Sequence, residues 1–294
     1  MNSEINVPMT LYRVCALWLV GALGLAGCAA PAATLPTPAS GPSAFSIAVA
    51  SNDFGTGTPR VPFIVFRGSQ RLAEVQSVRV TAFALGTGTP VPGWSGDAIS
   101  YSDYEVPYWV CYPQIPSAGY WGLLGDITLP DGTRSQVQFT IEVTSTVSAP
   151  DIGQTPPASH NRTLATEPDI TKLTSDAAPE RGLYRLTVAD ALKSGKPSIV
   201  TFATPAFCQS RLCAPVVNTV KAVYHDFKDR VNFIHIEVYK TFNPLVYADE
   251  MDEWHLLSEP WTFVLDKNGK VAARLGGPVS PRELTAALTP LVQP

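Results

Sequence analysis

The apolar periodicity of this chain changes near residue 180, and that change limits what it can fold into. From Ala44 to about Val143 side chains alternate with a period of two. Val137, Phe139, Ile141 and Val143 fall on one face of a strand, as do Val78, Val80 and Ala82 within Val75–Leu85. Phe45–Val49 alternates, Val61–Phe66 is a short apolar run, and Tyr120–Leu129 completes the set. Pro130-Asp131-Gly132 separates the last two strands and predicts a hairpin. No stretch of this half shows helical period. Gly86–Gly119, rich in Pro, Gly, Trp and Tyr, reads as long loops or additional short strands.

After about Glu180 strands and helices alternate. Thr187 can cap a short helix through Leu192, which Gly195 and Pro197 end. Ser198–Ala203 reads as a buried strand. Arg211–Lys228 reads as a helix with Leu212, Val216, Val220 and Val223 on one face. Val231–Val238 is a strand, and Leu245–Trp254 reads as a helix. Trp261–Leu265 and Val271–Leu275 flank an Asn268-Gly269 turn. Ser280 and Pro281 open a closing helix to Leu291. The expected fold class is therefore an immunoglobulin-like all-β sandwich over 44–143, a linker over 144–179, and an α/β domain over 180–294.

Residues 1–27 read as a secretion signal. Arg13 precedes an uncharged apolar run, Val14–Leu25. Twelve helical residues span about 18 Å, short of the ~30 Å hydrocarbon core. Leu25-Ala26-Gly27-Cys28 resembles a bacterial lipobox, in which Cys28 becomes acylated and N-terminal. Several acyl chains on one cysteine anchor a protein durably. Residues 28–43 are uncharged and rich in Pro, Ala, Ser and Thr, the composition of a flexible tether. The expected location is the extracytoplasmic face of the cell membrane, held by lipid, where disulfides persist. Processing would remove Cys15 and leave Cys111, Cys208 and Cys213 as ordinary cysteines. A net charge of −4 offers no footprint for nucleic acid.

Three segments of the C-terminal half resemble the thioredoxin family. Phe202-Ala-Thr-Pro-Ala-Phe-Cys208 places a cysteine at the mouth of a strand-to-helix turn. Ala214-Pro215 stands where that family's active-site helix carries its kinking proline. Glu259-Pro260 through Gly276-Gly277 looks like the family's cis-proline, strand, Asn-Gly hairpin, strand and closing glycines. The likeness covers about Leu183–Val292. It implies that Pro260 is cis and faces the cysteines, and that Cys208 and Cys213 exchange disulfides with extracytoplasmic protein partners. It also implies a substrate groove at Phe207, Arg211, Glu259 and Trp261.

The family usually places two residues between its cysteines; here Gln209-Ser-Arg-Leu212 places four. On a regular helix residues five apart have Cα atoms about 8.7 Å apart, whereas a disulfide needs about 4.4–6.8 Å. Cys208 must therefore lie in the turn before the helix, or the first turn must distort on oxidation. At a helix N-terminus the Cys208 thiolate would be favoured by free N–H groups, with Arg211 within one turn. Cys213 would resolve the mixed disulfide. The family's buried acid on the preceding strand is replaced by Thr201 or Phe202, so no proton acceptor for Cys213 is evident. A stabilising disulfide is the plainer alternative, although so short a loop contributes little entropy.

Two other activities fit the pair. A four-residue spacing occurs in the bacterioferritin-comigratory class of peroxiredoxins, but Pro205 stands where those carry Thr, with Thr204 one place away. A non-catalytic binding or copper-handling module is the other, since soft thiolates suit copper. His225, His235 and His255 are scattered and offer no third ligand, so no metal site and no cofactor are expected. Cys111 reads as a packed apolar side chain. Asn161-Arg162-Thr163 matches a glycosylation triplet by chance. Asp249–Glu253 reads as a solvated helix face. Trp94, Tyr101, Tyr104, Tyr108, Trp109, Tyr112, Tyr120 and Trp121 form a dense aromatic cluster that is either sandwich core or a partner surface.

Overall fold

The computed structural model describes residues 44–85 and 92–293. The expected signal segment, Cys28 and the 28–43 tether lie outside these residues. Among the described residues no helix is long and apolar enough to cross a membrane.

The N-terminal half is all β. Its strands are β1 (Phe45–Val49), β2 (Phe54–Gly55), β3 (Val61–Arg67), β4 (Gln70–Arg71), β5 (Ser77–Ala84), β6 (Pro92–Asp97), β7 (Ile99–Tyr101), β8 (Tyr108–Cys111), β9 (Gly119–Thr128) and β10 (Arg134–Thr144). One sheet runs β1-β3-β8-β7, with β4 paired to β3; the other runs β2-β10-β9-β5-β6. Inward residues of both sheets meet in one core, Phe63, Val65, Trp109 and Cys111 against Val80, Trp121, Leu123, Phe139 and Ile141. Burial alternates strictly along the second half of β10, as the period of two requires. β6, β7 and β8 show that the aromatic-rich middle forms short strands.

The C-terminal half contains α1 (Val188–Ala191), β11 (Ser198–Ala203), α2 (Cys213–Phe227), β12 (Asn232–Glu237), β13 (Tyr239–Phe242), β14 (Leu245–Tyr247), α3 (Asp249–Glu253), β15 (Trp261–Leu265), β16 (Val271–Gly276) and α4 (Pro281–Val292). The central sheet runs β12-β11-β15-β16. β11 and β12 are parallel, and β15 is antiparallel to both β11 and β16. One face packs Ile199, Phe233 and Val264 against Val216, Val220 and Val223 of α2 and Leu284 and Leu288 of α4. The other packs Val200, Phe202 and Phe263 against Met251 and Trp254. Thr187 caps α1 by accepting from Asp190 N–H, and Ser280 caps α4 by accepting from Glu283 N–H.

Two expectations change. Leu245–Trp254 is not one helix: Leu245–Tyr247 pairs with Tyr239–Phe242 as a hairpin, and the helix is confined to Asp249–Glu253. Three consecutive large apolar residues pair more readily as a strand than they cover a helix face. The helix expected from Arg211 begins instead at Cys213, because Arg211 has φ 59, outside helical geometry.

The 144–179 connector is sewn to the α/β unit. The Asn161 side chain donates to the Leu186 carbonyl and accepts the Val188 N–H, so it spans the start of α1. Asn161 is 3% exposed, which closes it to glycosylation. Ser159 donates to Glu253 and accepts from the Trp254 indole.

The two halves share a buried joint. Arg60 of the sandwich donates two hydrogen bonds to Glu283 and one each to the carbonyls of Gly276 and Pro278. Asp53 pairs with Arg274, and Tyr104 meets Thr219. Gly277 has φ 78, and a Cβ there would lie 1.9 Å from the Ala50 carbonyl oxygen, so the sandwich backbone fills the space a side chain would need.

Candidate functional site

Cys208 lies in the turn between β11 and α2, and its N–H donates to the Thr204 carbonyl. The turn-before-helix alternative is therefore the one realised. Cys213 is the first residue of α2, buried with Ala203 and Val217. Both are free thiols. Glu259 sits immediately before Pro260, and the Glu259–Pro260 peptide is cis, as is Asn243–Pro244. The two Sγ atoms and a Glu259 carboxylate oxygen all lie within 4.8 Å of one another.

The two thiols are strongly unequal. The Cys213 thiol hydrogen-bonds to Cys208 and is the largest cause of a Cys208 pKa lowered to about 5. Burial opposes this shift, while the Ser210 hydroxyl and the N–H groups of Cys213 and Leu212 support it. The Ser210 hydroxyl is 3.1 Å from the Cys208 sulfur. Cys213 moves the other way: its bond to Cys208, then burial, then the Cys208 charge all hold it protonated. Glu259 is also raised, by burial first and by Cys208 second. One thiolate, one protonated thiol and one carboxyl group of raised pKa thus share a small space.

The expected groove residues separate. Phe207 is half-buried beside Cys208, with its ring 6.1 Å from Tyr239 and 5.4 Å from Phe242. Tyr239 stacks on Tyr247, and the hairpin exposes Leu245, Val246 and Tyr247. Arg211 is exposed, and the largest influences on Cys208 come from Cys213, burial, Ser210 and the Leu212 N–H rather than from Arg211. Trp261 is buried, stacked on Phe263 and under the Arg274 guanidinium, and so belongs to the core. Cys111 is buried in the sandwich, which pushes its thiol up to about 12.

The order β11-α2-β12, an antiparallel β15–β16 hairpin, a closing helix and a cis-proline next to a cysteine pair define this half. It is thioredoxin-like. No family model matches the chain, and no curated protein matches it. Solved structures with likeness include StoA from Bacillus subtilis, at 18% identity over 32% of this chain and 82% of that one, with a TM-score of 0.27. A thioredoxin-family thiol:disulfide interchange protein from Chlorobium tepidum TLS covers 49% of this chain and 100% of its own, at 16% identity and TM-score 0.34. CopC from Methylosinus trichosporium OB3b covers 34% and 92%, at 14% identity and TM-score 0.25.

Glu259 was legible only as a groove residue. Its proximity to both sulfurs depends on the cis-proline loop folding back over the start of α2, which links Glu259 to residues 46 and 51 positions earlier in sequence. Ser210 carried no signal beyond lying in the spacer. Leu212 was expected on the helix face with Val216, Val220 and Val223, but it precedes α2 and is buried against the sandwich instead. The scattered histidines are accounted for in part: His235 is buried, with Nδ1 2.7 Å from the Tyr184 hydroxyl and Nε2 3.1 Å from the Ala203 carbonyl.

Proposed function

We propose that this protein is a membrane-anchored, extracytoplasmic thiol–disulfide oxidoreductase that acts on protein disulfides through Cys208 and Cys213. In this reading Cys28 carries the lipid anchor and residues 44–143 form an immunoglobulin-like domain. The observation that carries the activity is the unequal pair of thiols beside Glu259 and cis-Pro260.

The Cys208 thiolate attacks a partner disulfide, forms a Cys208–partner bond and releases one partner thiolate. Cys213 passes its proton to the Glu259 carboxylate. The new thiolate attacks the Cys208 sulfur, closes the Cys208–Cys213 disulfide and releases the second partner thiolate. Two electrons move from the cysteine pair to the partner, and the reverse sequence oxidises a dithiol. Glu259 supplies the proton acceptor that β11 lacks. Phe207 and the β13–β14 hairpin give an apolar wall for the partner chain.

The test compares insulin reduction, with dithiothreitol as terminal reductant, and hydrogen peroxide turnover, on the protein lacking the anchor. Wild type is set against Cys208→Ser and Cys213→Ser. Insulin reduction abolished in Cys208→Ser supports the proposal. Activity in neither assay overturns it, and peroxide turnover dependent on Cys208 replaces it with a peroxidase.

One observation favours a second reading. Two sulfurs and a carboxylate within 4.8 Å form a donor set that could hold a thiophilic ion in the reduced protein. In that reading the pair handles copper or a similar ion and does not catalyse exchange.

A further inference from the structure

Leu212 directly precedes Cys213, yet it does not pack into the α/β core. It is 4% exposed and buried among Ile64, Tyr101, Val106, Tyr108 and Val110, all residues of the sandwich. Arg71 of the sandwich reaches the carbonyl of Ser210, in the same spacer, at 3.5 Å. A third contact touches the proline loop: the Ser258 hydroxyl donates to the Asn52 side chain at 2.9 Å. The segment Ala50–Ser51 lies against Gly276 and Gly277, and Gly276 pairs with Trp261 next to Pro260. The sandwich thus touches both loops that carry the chemistry, 208–213 and 258–260.

The contact with Leu212 bears on the sulfur directly. The Leu212 N–H and the Cys213 N–H are two of the groups that favour the Cys208 thiolate. Their direction depends on where the spacer backbone is held. Arg211, with φ 59, turns the chain so that Leu212 leaves the spacer towards the sandwich. Burial of an apolar side chain of this size in a pocket favours one loop conformation over others.

We propose that the sandwich is a working part of the redox site, and that Leu212 is the positioning residue through which it sets the cysteine spacer. This rests on the exchange reading for its biological use, but the physical coupling stands apart from it. The four-residue spacer then has a role: it is long enough to place one side chain in the neighbouring unit while both sulfurs stay close. Because the clamp is made with the dithiol, it stabilises the reduced form, which raises the pair's tendency to be reduced.

The test uses the protein lacking the anchor and compares wild type, Leu212→Ala, Leu212→Met and the surface variant Arg71→Ala. The Cys208–Cys213 pair is equilibrated with glutathione buffers, and the disulfide fraction is read by mass after alkylation. Leu212→Ala is expected to shift the equilibrium constant at least threefold towards the disulfide. It should also slow Cys208 alkylation at pH 6 at least threefold. Leu212→Met, which refills the pocket, should restore both values to within twofold. Arg71→Ala should shift the equilibrium in the same direction, and it removes an exposed side chain that folding does not need. Leu212→Ala and Arg71→Ala both within 1.5-fold of wild type would overturn the proposal. Neither readout requires a protein substrate, so lack of insulin reduction would sink the oxidoreductase reading and leave this one standing or falling by itself.

Discussion

Tyr108 of the sandwich and Glu283 of the closing helix, 175 residues apart in sequence, share a buried hydrogen bond. The Tyr108 hydroxyl donates to the Glu283 carboxylate and accepts the Ser280 N–H, so it also closes the cap of α4. Arg60 completes the group with a two-pronged bond to the same carboxylate, and the side chains of Arg60 and Glu283 are 7% and 6% exposed. Removing one partner of such a pair leaves an uncompensated buried charge. Arg60→Ala is expected to lower stability by about 3–5 kcal/mol, while Arg60→Met with Glu283→Leu should cost clearly less. Urea denaturation of the three proteins checks the order, and an equal loss in both variants would contradict it.

The low pKa of Cys208 has a defined sign with pH. Above about 5 the sulfur is a thiolate, and below it the sulfur is protonated and unreactive. Iodoacetamide alkylation of Cys208 should therefore be nearly constant from pH 6 to 8. It should fall about tenfold per pH unit below 5. Cys213 should stay unmodified across the whole range, because its thiol is held protonated. A Cys208 rate still rising tenfold per unit at pH 7 would show an ordinary thiol.

In the proposed exchange cycle Glu259 acts only after the first attack. Glu259→Gln should leave the formation of the Cys208–partner disulfide within twofold of wild type. It should slow resolution by Cys213 about tenfold or more. Quenched-flow trapping with a labelled disulfide peptide would then show the mixed disulfide accumulating, and Glu259→Asp should restore part of the rate. Equal slowing of both steps would assign Glu259 a structural part.

His235 links stability to pH through a different group. Burial lowers its pKa, against an opposing pull from Glu237. The folded protein therefore holds neutral imidazole, bonded to Tyr184 and the Ala203 carbonyl. The stabilisation is full above the ordinary histidine value of about 6.5 and is lost as pH falls through the lowered one. The urea midpoint of wild type should drop more between pH 7.5 and 5.5 than that of His235→Gln.

Legibility in the sequence followed the range of each interaction. Strands such as β10 and the β15–β16 hairpin are set by local alternation and turn residues, and were readable one by one. The β13–β14 hairpin was missed because the run Leu245-Val246-Tyr247 is only three residues long and exposed, which gives no period to read. The aromatic cluster could not be sorted by sequence. Trp109 and Trp121 fill the sandwich core, whereas Tyr101 and Tyr108 join the group around Leu212 and Tyr104 reaches Thr219. That division depends on which unit each ring faces, and the two units are distant in sequence. Cys208 and Cys213 were legible as a pair. Their unequal acidity was not, since it arises first from the hydrogen bond between the two sulfurs and the burial of Cys213, with Ser210 and two backbone N–H groups, all brought together by folding.

The bare backbone of Gly277 against Ala50 makes the two halves poor candidates for shuffling. A recombinant that joined this α/β unit to some other N-terminal module would leave the Gly276–Gly277 notch open and Leu212 exposed to water. Conversely, a replacement redox unit carrying any side chain at 277 would strike the sandwich backbone. A change at either side of the seam therefore restricts what the other side can accommodate.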